Sequence, residues 1–210
     1  MWSVIKPEYE HGVRVGPFIM TGYMCLLLLR HIVSYNTVAV QANVGLLYHR
    51  VVTPLHIYLS RCVMEFAGAS GAFIIVYTIL FLLGEVGPPA DVLILYTGWA
   101  LLAWLSSGMS LVFASLAIEH EVMERIVPVI MYLMIPLSGA FVMAAWLPER
   151  YREIFLLIPF PNAFEMVRAG VFGEFTPTYY HIDYAVAWAA GLSIVGLLNV
   201  ARAKRHLEVE

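Results

Sequence analysis

Residues 92–118 read VLILYTGWALLAWLSSGMSLVFASLAI, 27 consecutive positions without a formal charge. A helix needs about 20 apolar residues to cross the roughly 30 Å hydrocarbon core of a bilayer. The stretch is therefore predicted to span a membrane, with length left to tilt or to continue beyond it. Four other stretches have the same character: 17–40, interrupted by Arg30 and His31; 66–84; 127–147, with Pro128 in its first turn and Pro136 inside it; and 184–201. The predicted fold is an all-α polytopic membrane protein with about five transmembrane helices, one membrane domain occupying 1–210.

Composition agrees. Of 210 residues, 61% are hydrophobic and 13% charged, and the mean hydropathy is +0.79. Soluble domains carry about a quarter of their residues as charges, so half that density cannot cover a globule of this size with hydrated surface. A soluble enzyme, a secreted disulfide scaffold and a disordered tail are excluded. A net charge of −3 with only two lysines, Lys6 and Lys204, excludes a nucleic-acid partner. Cys25 and Cys62 have neither metal nor redox spacing and are expected as buried free thiols. Residues 1–16 hold Lys6, Glu8, Glu10 and Arg14 and do not read as a cleavable signal.

Between the fourth and fifth spans the pattern changes. Tyr151 to Ile158 and Asn162 to Phe172 are apolar but reach only roughly 12 and 16 Å as helices, too short to cross. Pro159 and Pro161 separate them. Asn162 followed by Glu165 reads as an N-cap with a capping-box partner, and Gly170, Gly173 and Pro177 close the second piece. Residues 151–172 are read as a re-entrant helical hairpin dipping in from one surface. Backbone turns at membrane depth survive only when shielded, so the hairpin implies a bundle around it. The alternative is an amphipathic pair lying flat on the surface.

The basic tail Arg202, Lys204, Arg205 belongs on the cytoplasmic side. Counting back through alternate crossings puts 119–126 and 41–62 inside and the hairpin outside. Seven of the twelve Lys and Arg then lie inside. Residues 41–62 mix polar and basic groups with Leu, Val and Tyr, as an interfacial helix broken near Pro54 would. This is either a docking element that a cytoplasmic partner pushes on or a connector with snorkelling arginines.

Arg61 and Glu65 are four apart and can pair on one helical face, as can Glu165 and Arg168 three apart. Pairing makes a structural clasp the better reading than an ion pathway. Ser106, Ser107, Gly108 and Ser110 lack a nucleophile motif and suit close helix packing, as do Gly68 with Gly71 and Ala187 with Gly191. No GxxxxGK[ST] is present, so the chain cannot cradle nucleotide phosphates in a P-loop. Trp2, Tyr96, Trp146, Tyr151, Tyr179 and Tyr180 fall near predicted outer interfaces. Tyr77, Trp99 and Trp104 lie within spans, as packing rings or as channel-lining aromatics that could stack on sugars.

Several blocks carry a family resemblance: Asn43-x-x-Leu-Leu-Tyr48-His49-Arg50-x-Val-Thr53-Pro54 running on to Arg61 and Glu65; Pro136-Leu-Ser-Gly139; Trp146-Leu-Pro148; and Pro159-x-Pro161-x-Ala-x-Glu165-x-x-Arg168-Ala-Gly170-x-Phe-Gly173. Over residues 17–210 the chain resembles the permease subunits of type-2 ABC exporters, most of all the capsular-polysaccharide branch of Gram-negative bacteria. The resemblance implies an inner-membrane homodimer around a channel for lipid-linked polysaccharide. It implies a separate ATPase subunit that binds ATP and Mg, so that no cofactor is held by this chain. It also implies a periplasmic adaptor and an outer-membrane exporter. By position, 41–62 and the loop 119–126 match the ATPase-coupling elements and 151–172 the outer gate. The family has an amphipathic helix and one more span before Pro17, so its first span is read as missing here. Other cargoes (O-antigen, teichoic acid, a drug) and a membrane enzyme acting on lipid-linked sugars are the competing readings.

Overall fold

The computed structural model describes residues 9–10, 13–47, 52–120, 122–173 and 177–207. A two-rung antiparallel ribbon, β1 (Tyr9–Glu10) and β2 (Val13–Arg14), precedes the helices. The helices are α1 (Val15–Thr37), α2 (Ala39–Ala42), α3 (Val44–Leu47), α4 (Pro54–Leu82), α5 (Val92–Glu119), α6 (Val122–Leu137), α7 (Glu149–Leu156), α8 (Pro159–Phe172) and α9 (Ile182–Leu207).

Four of them are long and apolar enough to cross a bilayer unaided: α1, α4, α5 and, over Ile182–Ala203, α9. α5 is the central rod. It packs against α1, α8 and α9, and small residues permit the approach. A Cβ on Gly98 would meet the Cβ of Met166 at 2.7 Å, and one on Gly108 would meet Leu192 at 3.0 Å. The side chains of Ser106, Ser107, Ser110 and Ser115 donate to carbonyls one turn back in their own helix, which removes their polarity from the interface. The packing reading of Ser106–Ser110 therefore agrees with the structure. That of Gly68, Gly71 and Gly191 does not: each faces open space within the chain. Within the helices the tight glycines are instead Gly22, Gly98, Gly108, Gly170 and Gly196.

α1 buries Leu28, Leu29, Ile32 and Val33 completely. Near its end the Asn36 amide donates to Ser110 Oγ and to Cys62 Sγ, both at 2.9 Å, tying α1 to α5 and α4. Cys25 and Cys62 are buried free thiols, as expected.

Two predicted spans have different bounds. The second starts at Pro54, not at residue 66, so 54–62 are the first turns of a single 29-residue helix. Proline at N1 loses no hydrogen bond, because that N–H would be unpaired in any helix, and its fixed φ suits the first turn. The fourth, expected over 127–147, is a helix from Val122 to Leu137 only. It begins early enough to put Pro128 in its second turn, and it stops where Gly139 takes φ +83, the left-handed conformation that commonly ends helices.

At 16 residues α6 is roughly 24 Å long, yet its partners show that it traverses the bundle. Arg30 of α1 lies over Tyr132, and Gly22 abuts the carbonyl of Ala140. Moving eight residues along α1 moves eight residues back along the later segment, so the two run antiparallel. One end of the bundle gathers Arg14, whose Nη1 donates to Gly84 O at 2.6 Å, and Phe18, which packs on Trp146. The other end buries Ala39, Val40, Ile57, Tyr58, Leu111, Ala114 and Val200 together. The described residues thus make five passes through the bundle, and the start of α1 and the end of α9 lie at opposite ends.

Candidate functional site

At the end where α1 begins, α7 and α8 meet at 107° across Leu157–Ile158. Residues 160–171 of α8 are buried throughout. A pair lying flat on a surface would expose one face of each helix; α8 exposes none and enters the bundle, whereas α7 exposes Tyr151, Ile154 and Leu157 and lies at its edge. α8 runs antiparallel to α5, since Gly170 abuts Leu95 and Gly98 abuts Met166 and Val167.

The turn is held differently from the predicted capping box. α8 starts at Pro159, three residues before Asn162, and Ile158 at its N-cap makes no side-chain cap. Pro159 and Pro161 carry no N–H to be capped, which moves the start forward. Asn162, inside the helix, donates to Leu156 O at 2.9 Å and Ile158 O at 3.0 Å, and accepts from His181 N–H at 2.8 Å. One amide thus stitches α7, α8 and the start of α9 together. Tyr184 adds a hydroxyl bond to Leu157 O. Gly170 lies within α8, and its carbonyl accepts from Asp91 N–H at 3.0 Å. Gly173, at φ +64, is the residue that ends the helix.

The predicted Glu165–Arg168 pair is present, with both side chains 1% exposed and Nη1 3.2 Å from Oε1. Its partners extend well beyond the pair. Arg168 donates to Ala140 O at 2.7 Å and Val142 O at 3.1 Å, and its guanidinium lies 4.6 Å from the Phe18 ring centroid. Glu165 accepts from Ala144 N–H at 3.3 Å. The pair therefore clamps the re-entrant helix to the α6–α7 link and to the start of α1. The irregular stretch after α6 has its carbonyls satisfied by a side chain in place of a helix, which is what non-helical backbone at this depth requires. Sequence could show the pair, because its spacing is local, but not Ala140, Val142 or Phe18.

At the opposite end, Gln41 donates to Ala117 O at 3.5 Å, and Thr53 N–H donates to His56 Nδ1 at 3.3 Å in the first turn of α4. Asn43 is exposed and folds its amide back onto Ala39 O. Tyr48, His49 and Arg50, the middle of the predicted coupling segment, lie outside the described residues.

Arg61 and Glu65 pair at 2.9 Å as predicted, but they do not join Asn43, Thr53 and Pro54 at that end. Because α4 is continuous from Pro54, they sit two to three turns along it, beside α1. There His31 Nδ1 approaches Glu65 at 3.4 Å, and the Arg61 guanidinium covers the Tyr35 ring. This arrangement is a clasp between α1 and α4. Glu65→Gln is expected to cost about 1 kcal/mol, the scale of partly exposed pairs. Membrane abundance should fall slightly with transport retained. Full abundance with abolished turnover would point to catalysis at Glu65 instead.

The three aromatics grouped by sequence part company. Tyr77 and Trp99 share a cleft of about 340 Å³ between α4 and α5, where Trp99 Nε1 donates to Ser70 Oγ and Tyr77 OH to Gly87 O. Trp104 is on another face of α5 and donates to Ser193 Oγ of α9. Five residues beyond Trp99 is about 500° of helical turn, which carries the ring to the far side.

Residues 12–172 match the family described as ABC-2 type transporter. The chain is similar to the capsule polysaccharide export inner-membrane protein CtrC of Neisseria meningitidis serogroup B, 33% identical over 208 residues, covering 99% of this chain and 78% of that protein. It is 31% identical to BexB of Haemophilus influenzae, also a capsule polysaccharide export inner-membrane protein, over the same shares. The polysialic acid transport protein KpsM of Escherichia coli is 22% identical over 213 residues, 94% of this chain and 83% of that protein.

Proposed function

The chain belongs to the ABC-2 type transporter family, and on that premise we propose that it is the inner-membrane permease of an exporter for capsular, lipid-linked polysaccharide. It acts as a homodimer around a channel, with ATP and Mg held by a separate ATPase subunit. A periplasmic adaptor and an outer-membrane exporter take the polymer onward. What supports this reading is the polarity of the bundle in a chain whose relatives are named for capsule export: α2, α3 and the start of α4 lie at one end and the clamped hairpin at the other.

The geometry suggests how force would travel. A subunit pressing on α2, α3 and the start of α4 would push on a rod of 29 residues, roughly 43 Å long, with no break before Leu82. The loop that follows α4 leads through Asp91, whose N–H is bonded to Gly170 of the hairpin. Displacement at the coupling end would thus reach α8 through α4 and α5. The hairpin would cap the outer end until that displacement frees it.

Cysteines introduced at the exposed positions Gln41, Asn43 or His56 should cross-link to the ATPase subunit, while one at Glu149, beside the hairpin, should not. Labelling of the first three from the periplasm of intact cells would invert the orientation and overturn the coupling role.

A further inference from the structure

α4 and α5 are consecutive and joined by residues 83–91, yet each packs chiefly on other helices: α4 on α1, and α5 on α9, α8 and α1. The space left between them is the cleft of about 340 Å³ that holds Tyr77 and Trp99. On α4 its lining runs from Phe66 to Thr78 in steps of one, three or four residues, a single stripe of the helix. That stretch is roughly 18 Å long, a little more than half of a hydrocarbon core of roughly 30 Å. Spread over this length, the volume makes a channel roughly 5 Å across, the width of one hydrocarbon chain at ordinary van der Waals contact. A helix, about 10–12 Å wide with its side chains, does not fit.

The cleft is buried at its floor and open at its lips. Phe73 and Trp99 are buried, whereas Ile74, Val92 and Tyr96 are each more than half exposed. Its polar groups are already engaged: Trp99 Nε1 donates to Ser70 Oγ, Ser70 to Phe66 O, and Tyr77 OH to Gly87 O. What it offers an occupant is therefore methyl, methylene and ring surface. An apolar cavity stays dry, and leaving it empty forfeits dispersion contacts along the whole lining.

The mouth carries both signs of charge. Residues 83–91 close the end nearest the hairpin and contribute Pro89 to the lining. On the same loop Glu85 meets Arg14 at 3.6 Å, both side chains partly exposed. A guanidinium beside a carboxylate complements a phosphate beside an ammonium, each group meeting its opposite.

We infer that this cleft seats one acyl chain of a bilayer phospholipid from the leaflet on the hairpin side, with a zwitterionic phosphate–ammonium headgroup over Arg14 and Glu85. The inference is independent of what the chain exports. It gives Tyr77 and Trp99 to lipid, not to sugar. Leu95 lines the cleft and also abuts Gly170, so the acyl chain braces the part of α5 on which the re-entrant helix packs.

The test uses the full chain reconstituted in vesicles of equal parts phosphatidylethanolamine and phosphatidylglycerol, one or the other lipid carrying a diazirine at the end of an acyl chain. After illumination the labelled residues are located by mass spectrometry. The ethanolamine probe should label the deep end of the cleft, Phe66 to Phe73 and Trp99, about fivefold more than the glycerol probe does, the factor of one partly exposed charge pair. Glu85→Gln should bring that ratio near one, because the ammonium loses its partner. Ile74→Trp and Val92→Trp fill the cleft from its lips. Each should reduce labelling of the deep end to the level found at Ile194 and Leu198, exposed residues of α9. Labelling of the cleft no stronger than at Ile194 and Leu198 in the unsubstituted chain would mean ordinary contact with surrounding lipid and overturn the inference. Equal labelling by the two probes, or undiminished labelling in both tryptophan variants, would also overturn it. Should a tryptophan variant fail to fold, the comparison of the two probes on the unsubstituted chain decides.

Discussion

Arg168→Met should destabilise the protein by about 3–5 kcal/mol, the range for breaking a buried ion pair from one side. The loss comes from three groups at once. Glu165 becomes a buried carboxylate without its cation, and the carbonyls of Ala140 and Val142 lose the donors that held them at 2.7 and 3.1 Å. Thermal unfolding of the detergent-solubilised protein and its abundance in membranes both report the effect. Arg168→Lys should recover only part of it, because one ammonium cannot present the planar fork that reaches two carbonyls and a carboxylate together. The double variant Glu165→Leu with Arg168→Met should be more stable than Arg168→Met alone, since removing both charges leaves no unpaired ion. A single Arg168→Met variant as stable as the parent would mean that the hairpin is not held by this clamp.

Gly170 gives the second large effect. A Cβ there would meet Leu95 at its backbone N, and at its Cα and Cβ at 2.6 Å. Backbone cannot rotate aside as a side-chain tip can, so α8 must move off α5. Overpacking of this kind costs about 1–3 kcal/mol, against a gain of up to about 1 kcal/mol for replacing glycine by alanine in a helix. Gly170→Ala should therefore be destabilising on balance, and Gly170→Val more so. Both should insert into the membrane but export poorly, because the displaced helix also loses the Asp91 bond to the carbonyl of residue 170. Gly68→Ala, in open space, is the matched control and should be neutral or stabilising. Gly173→Ala should lose about 1–3 kcal/mol, because its φ of +64 with ψ of −149 is a backbone that glycine alone adopts readily, and a Cβ there would also meet the Ala90 Cβ at 2.6 Å. Wild-type export in Gly170→Val and Gly173→Ala together would remove the hairpin's gating role.

The contrast between Gly170 and Gly68 shows where sequence reading ends. Both are glycines in apolar helices, and the small-residue rule marks either as a site of close approach. Only the fold tells which one faces backbone. α8 crosses α5 at Leu95, whereas the side of α4 bearing Gly68 faces away from the chain. Asn162 is similar. A polar residue ahead of an apolar run reads as a cap, and the side chain does satisfy backbone carbonyls there. It does so from inside the helix, because Pro159 and Pro161 start the helix without needing a cap. Tyr77, Trp99 and Trp104 share only their depth within the spans, and depth does not tell faces apart.

The spans, the short hairpin, and the Arg61–Glu65 and Glu165–Arg168 pairs were legible because each depends on residues within a few turns of one another. Oily length is set by the bilayer, and an i, i+3 or i, i+4 pair is a neighbour on any helix. His31 joining Glu65, Arg168 reaching Ala140 and Val142, and Arg30 lying over Tyr132 were decided by tertiary structure alone. Each depends on which faces of separate helices meet. No local periodicity encodes that, because in lipid the choice of neighbour turns on close backbone approach and on satisfying polar groups across helices, not on hydrophobicity.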